Sequence, residues 1–183
     1  DETRLVKIVG NHDQPRGGFA RGENPGVVAA GVLAIGGQQC RPVGVADHEL
    51  EELEQIIRTS NEVGVEPYIG IRVRLHSKGS GKWSPSGGEN AKFGLDTTNL
   101  VAASQMLKEA GLMPCLKLLH FHVGSQVPDI STIKRAVREA ARYYAKLCKL
   151  GHELGYLDVG GGLGVDYDGA RSDFASSTNY SLQ

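Results

Sequence analysis

The sequence predicts an α/β fold built on parallel strands, either a doubly wound sheet or a section of a (β/α)8 barrel, with about three strand–helix units recognisable. Three observations carry this. β-branched runs and helical apolar periods alternate as strand, helix, strand, helix, strand at intervals of ~40–50 residues, a spacing that calls for right-handed crossover connections. Each predicted helix runs into a glycine. Each predicted strand ends in polar or glycine-rich residues, and both architectures place their ligands at those ends. A complete barrel takes ~250 residues, so 183 residues hold at most about two-thirds of one.

Residues 1 to about 46 are poor in pattern and rich in glycine. Their one apolar stretch, Val27 to Ile35, reads equally as a strand or a buried turn of helix. From Asp47 the signals sharpen. Asp47 caps a predicted helix whose apolar positions Leu50, Leu53, Ile56 and Ile57 share a face, with Gly64 as its stop. Tyr68 to Leu75 is a predicted strand. A second helix is predicted from about Thr98 to Ala110, closed by Gly111, and a second strand from Leu116 to Val123. The third helix carries Ile133, Val137, Ala140, Tyr144 and Leu147 on one face and ends at Gly151. Tyr156 to Val159 forms the last predicted strand and leads into Gly160-Gly161-Gly162.

Composition narrows the class. Hydrophobic residues are 40% and charged residues 22%, values that exclude a disordered polymer. Twenty Lys+Arg against 21 Asp+Glu give a formal charge of -1, with no overall footprint for nucleic acid or an anionic membrane. Apolar runs stay well short of the ~20 residues of a membrane helix. Three cysteines, Cys40, Cys115 and Cys148, are too scattered for a zinc site and odd in number for a disulfide framework, so a reducing compartment is expected. The chain opens on Asp1 and not on methionine, and it ends without an obvious terminator signal; a fragment is expected.

Glycines after a strand let backbone N–H groups crowd round an anion, so Gly160 to Gly162 suggest a phosphate nest, with a flexible turn as the alternative. The dinucleotide fingerprint is excluded, because Val165 stands where its last glycine belongs. Gly79-Ser80-Gly81-Lys82 is not a P-loop, since Trp83 replaces the required Ser/Thr. The loop from His76 to Ala91 is longer than an ordinary connection and reads as a lid or binding loop, with Lys82 and Trp83 as its working side chains. His120 and His122 share a strand face; His122, nearer the C-terminal end, is the better candidate for contact with a ligand, against a core histidine for each. Ser125 is placed to donate to the same anion. Arg72 and Arg74 also share a face, with a structural salt-bridged pair as the alternative.

Several segments together are distinctive: Ile71 to Leu75, Gly79 to Trp83, Ser86 to Glu89, Lys92 to Leu95, Leu118 to Gln126 and Asp158 to Gly169. From about residue 48 to 183 the sequence resembles the biosynthetic arginine decarboxylases. These are pyridoxal-phosphate enzymes with an alanine-racemase-like barrel, related to the ornithine and diaminopimelate decarboxylases. The resemblance divides the chain into a poorly matching segment, 1–46, and a partial pyridoxal-phosphate-binding barrel domain, 47–183.

The resemblance implies decarboxylation of L-arginine to agmatine and CO2, in the synthesis of putrescine and spermidine. It implies that His122 stacks on the pyridine ring, that Ser125 with Gly160, Gly161 and Gly162 holds the phosphate, and that Arg72 sits near the ring. It implies a substrate and cofactor lining from Leu157, Asp158, Val159, Leu163, Gly164, Val165, Asp166 and Tyr167. Mg2+ is a further family expectation, with no ligand set visible. No catalytic residue is assigned, because the family's imine-forming lysine lies upstream and its Cys-Asp substrate motif downstream; the chain alone is expected to be inactive. A homo-oligomer is implied for the full-length protein, with no nucleic-acid or membrane partner, in the cytoplasm, or in a plastid if the source is a plant. The alternatives are an ornithine- or diaminopimelate-type decarboxylase and a non-catalytic homologue that regulates polyamine synthesis.

Overall fold

The computed structural model describes residues 50–77, 93–164 and 166, together with the backbone of three strands at 7–10, 31–32 and 42–46. The chain order is β1 (Lys7–Gly10), β2 (Gly31–Val32), β3 (Pro42–Ala46), α1 (Leu50–Val63), β4 (Tyr68–Arg72), α2 (Thr97–Glu109), a 3-10 turn (Met113–Cys115), β5 (Leu116–His122), α3 (Ile130–Lys149) and β6 (Tyr156–Gly160). One six-stranded sheet runs β1-β6-β5-β4-β3-β2. All its pairings are parallel except β2 with β3.

Strands β3 to β6 lie side by side in chain order. A doubly wound sheet reverses direction at a switch point, whereas a barrel adds each strand beside the last. The succession is therefore that of a barrel section, and the doubly wound alternative falls away. Two parallel strands, β1 and β3, lie in the segment where no strand is predicted. Pro42–Ala46 pairs with β4 from Val43↔Tyr68 to Ala46↔Ile71, although it holds a glycine and follows a glycine-rich, pattern-poor stretch. A short parallel strand has no alternation to reveal it. Gly31–Val32 shows that part of the ambiguous apolar stretch is extended. Asp47, the expected cap of α1, lies outside the described residues.

The helices form where the apolar period predicts. Leu53 is fully buried, with Leu50, Ile56 and Ile57 packed around it. Helix α2 starts at Asp96, whose side chain accepts from the Asn99 amide at 2.8 Å. In α3, Ala136, Ala140 and Leu147 are buried, with Ile133, Val137 and Tyr144 packed beside them. Asp129 caps this helix, accepting from the Ser131 amide (2.9 Å) and from the Ser131 (2.6 Å) and Thr132 (3.0 Å) hydroxyls, bonds that hold its carboxyl below the usual range. Gly64, Gly111 and Gly151 end the three helices at φ of 68°, 72° and 101°, conformations that cost other residues strain. No described helix is long and apolar enough to cross a membrane.

Strand β4 is shorter than predicted. Past Arg72 the backbone turns to pair with the segment entering α2, with Leu95 N–H donating to Arg72 O and Arg74 N–H to Leu95 O, both at 2.9 Å.

His152, with no sequence signal of its own, fills the gap between α3, α2 and the 3-10 turn. It is 1% exposed. Its Nδ1 lies 3.2 Å from the Met113 carbonyl and must donate, so Nε2 accepts from the Ser104 hydroxyl at 2.7 Å. Burial pushes its pKa below the ordinary 6.5, and the Met113 carbonyl opposes this only in part. The unfolded chain therefore binds the proton more readily. Stability from neutral His152 is complete above about pH 6.5 and declines as the pH falls through the unfolded value toward the folded one. Thermal melts between about pH 8 and pH 5 should show wild-type Tm falling on the acid side more steeply than that of His152→Gln. Parallel curves would refute the assignment.

Candidate functional site

Strand alternation sorts side chains onto two faces. Ile69, Ile71, Leu119, Phe121 and Leu157 are at most 5% exposed and pack in the core with Leu53, Leu107 and Ala140 of the helices. The opposite face carries Arg72, His120, His122, Asp158 and Gly160. Register puts Arg72 beside His120, His120 beside Asp158, and His122 beside Gly160. A polar row, Arg72–His120–Asp158, thus crosses three adjacent strands, at the last residue of β4 and two residues before the ends of β5 and β6. Asp158 Oδ2 lies 3.0 Å from His120 Nδ1, with both side chains at most one-fifth exposed. The Arg72 guanidinium sits 5.2 Å from the centroid of the Phe93 ring. Arg74 instead meets Asp96 at 3.5 Å, the structural role that sequence left open for it.

Above this row, two loops are laced together. Val123 N–H donates to Gly160 O (3.2 Å), Gly162 N–H to Gly124 O (3.0 Å), Val127 N–H to Gly162 O (2.8 Å) and Gly164 N–H to Val127 O (2.9 Å). The β5–β6 pairing therefore continues past the strands, with Ser125 exposed at the turn of one loop and the glycines forming the other.

The three glycines have different reasons to be glycine. A Cβ on Gly160 would stand 2.5 Å from His120 Cε1 and 2.6 Å from the Phe121 carbonyl. Gly161, at φ 111°, would place a Cβ 2.5 Å from the Gly124 carbonyl. Gly162 has only the Gln126 amide nitrogen at 3.7 Å, so its bare backbone faces nearly open space. The first two allow the chain's own close packing. The third leaves room for a group approaching from outside, as a phosphate cradle requires. The amides of Gly162 and Gly164 are engaged within the protein, so the simple nest of consecutive free amides is modified by the lacing.

His122, Ser125, Gly160, Gly161, Gly162 and Arg72 are thus gathered at the ends of β4, β5 and β6. The residues present suit pyridoxal phosphate: an open glycine backbone and a hydroxyl for the phosphate, with an imidazole and a guanidinium on the face beneath. Leu157 and Val159 are not brought to this face. Period-2 alternation turns them into the helix-side core, and Asp158 alone of the three points inward. Leu163 is 48% exposed and bridges Val127, Gly164 is buried and Asp166 half-buried. Val165, Tyr167, Lys82 and Trp83 lie outside the described residues. Among the described residues no three His, Cys, Asp or Glu side chains converge on a metal position. The Asp158–His120 contact and the acceptor role of Gly124 have no sequence signal, because both depend on register.

Comparison with known proteins shows the family. The family described as pyridoxal-dependent decarboxylase, pyridoxal binding domain, matches residues 37–182. The biosynthetic arginine decarboxylase of Prochlorococcus marinus (strain MIT 9313) is 54% identical over 143 residues, 78% of this chain and 22% of that protein. Its counterpart in Geobacter sp. (strain M21) is 53% identical over 141 residues, 77% and 22% of the two chains. The chain thus spans about a fifth of the length of these curated relatives. Among solved structures, the biosynthetic arginine decarboxylase of Campylobacter jejuni superposes with a TM-score of 0.62 at 37% identity, over 76% of this chain and 21% of that one. The diaminopimelate decarboxylase of Helicobacter pylori, complexed with L-lysine, gives 0.59 at 29% identity, over 67% and 31%.

Proposed function

The chain belongs to the pyridoxal-dependent decarboxylases, and from that premise we propose that it supplies the cofactor-holding barrel of an arginine decarboxylase. The reaction is L-arginine to agmatine and CO2, in the synthesis of polyamines. The observation that carries it is the gathering of His122, Ser125 and the open backbone of Gly162 at adjacent strand ends, over the Arg72–His120–Asp158 row. When bound, pyridoxal phosphate supplies the electron-withdrawing ring that stabilises the charge left as the carboxylate departs.

The chain's own residues hold and orient. Ser125 and the Gly160–Gly162 backbone hold the phosphate, His122 flanks the ring, and Arg72 sets positive charge beside it. Asp158 keeps His120 in place beneath the loop, so that the floor under Gly160 is rigid. Asp166, with Val165 and Tyr167, belongs to the substrate side of the same reading. Arginine is favoured over diaminopimelate because the biosynthetic arginine decarboxylases compared share the greater identity. Mg2+ is part of the proposal without assigned ligands, as are a homo-oligomeric whole protein and a cytoplasmic location, or a plastid in a plant.

Two measurements test this. Titrating the chain with pyridoxamine 5'-phosphate, which cannot form an imine with lysines, should give saturable binding that His122→Ala weakens by about tenfold or more. Pyridoxamine without phosphate should bind far more weakly; equal binding would refute the cradle. The native polypeptide carrying this sequence, captured by an antibody against residues 92–168, should release CO2 from arginine. Release from ornithine or diaminopimelate instead would overturn the substrate.

A further inference from the structure

A formal charge of -1 conceals a strong separation along the chain. Helix α3 alone carries Lys134, Arg135, Arg138, Arg142, Lys146 and Lys149 against one acid, Glu139, so it holds +5 and the rest of the chain -6. Arg135, Arg138, Arg142 and Lys146 follow the three- and four-residue spacing of a single helix face, ~16 Å from end to end. They border a cavity of about 500 Å3 between α3, the start of α2 and the chain leaving β4.

Glu139 does not neutralise this face. Its two carboxylate oxygens accept from the backbone amides of His76 (2.7 Å) and Ser77 (2.9 Å), a structural task that fixes the cavity wall. Arg135 donates to the Thr132 hydroxyl at 3.1 Å, and the Tyr143 and Thr97 hydroxyls share a hydrogen bond of 3.0 Å across the cavity. Arg138, Arg142 and Lys146 have no carboxylate within ion-pair distance among the described residues. Three like charges on adjacent turns repel one another, a cost that a bound polyanion would relieve.

We propose that this cavity binds a small molecule carrying a chain of two or more phosphates. Guanidinium forks pair bidentately with phosphate oxygens, and two arginines one turn apart suit a ligand with several such groups. The lining favours a small ligand over a protein segment. Among its described lining residues there is no Ala, Val, Leu, Ile or Met, and Tyr143 is already tied to Thr97; a protein interface depends on buried apolar anchors. The site is distinct from the glycine loop, sharing none of its residues, and it stands whether or not the decarboxylase reading does.

The test is calorimetric titration of the chain with inorganic tripolyphosphate at physiological ionic strength. Saturable binding is expected, weakened by about tenfold or more in Arg138→Ala/Arg142→Ala. Lys134→Ala/Lys149→Ala removes the same charge from the same helix outside the cavity and should change affinity by less than about twofold. All four side chains are exposed, so both variants should keep wild-type helicity and melting. ATP binding equal to tripolyphosphate would identify the phosphate chain as the recognised group, and tighter ATP binding would identify a nucleotide; both support the site. Absence of saturable binding, equal losses in the two double variants, or tighter binding of an acidic peptide of matched charge would overturn it.

Discussion

Gly161→Ala is expected to abolish cofactor binding and to destabilise the fold. The new Cβ would meet the Gly124 carbonyl at 2.5 Å and a Val123 methyl at 2.9 Å, on a residue whose φ of 111° an L side chain rarely adopts. Backbone strain of this kind costs about 1–3 kcal/mol before any overlap is relieved. Relief must come from separating the two loops, because the nearest obstacle is backbone. That would break Gly162 N–H to Gly124 O and Val127 N–H to Gly162 O, the bonds that hold Ser125 beside the glycines. Pyridoxamine 5'-phosphate affinity should fall by well over tenfold, or ~1.4 kcal/mol, with a lower melting temperature. Gly162→Ala is the informative control. Its Cβ meets only the Gln126 amide at 3.7 Å, so stability should be nearly unchanged while phosphate binding weakens. Wild-type affinity in Gly162→Ala would show that the open side of the loop is not the cradle.

Phe121→Ala is expected to unfold the chain or leave it barely folded. Phe121 heads the largest fully buried side chains and sits between the two histidines, on the opposite face of β5. Truncating a buried phenylalanine costs about 3–5 kcal/mol in lost transfer energy and cavity, against about 5–15 kcal/mol of total stability for a typical domain. Urea denaturation followed by far-UV circular dichroism would measure it. A loss under about 1 kcal/mol would mean that the sheet face is not closed by helices as described. His120 and His122 depend on this residue through alternation: an unanchored β5 has nothing to hold its polar face toward the site.

Much of the architecture was legible in the residues. The apolar spacing of α1 and α3 located their buried faces, and glycine stops placed the three helix ends within a residue or two. The motifs around Arg72, His122 and Gly160 fall at the ends of β4, β5 and β6, three neighbouring strands of the sheet. Strand β3 was missed because a five-residue parallel strand has neither alternation nor length to set it apart. Leu157 and Val159, within the stretch expected to line the site, turn their side chains to the helix-side core, because a strand presents only every second residue to one side. His152 left no trace, since its partners Ser104 and Met113 lie 48 and 39 residues away.

What the sequence determined by itself is local: where helices begin and end, which faces are apolar, which glycines and histidines belong to one chemical motif, and hence the family. Tertiary structure decided what depends on register and on which helices adjoin. It set His120 against Asp158, separated the roles of Gly160, Gly161 and Gly162, and committed Glu139 to the amides of His76 and Ser77, while Arg138, Arg142 and Lys146 meet no carboxylate among the described residues. Local preferences act over a few residues, whereas pairing across strands and helices is chosen by burial of the whole core. A chain with a formal charge of -1 can for that reason present a strongly basic cavity.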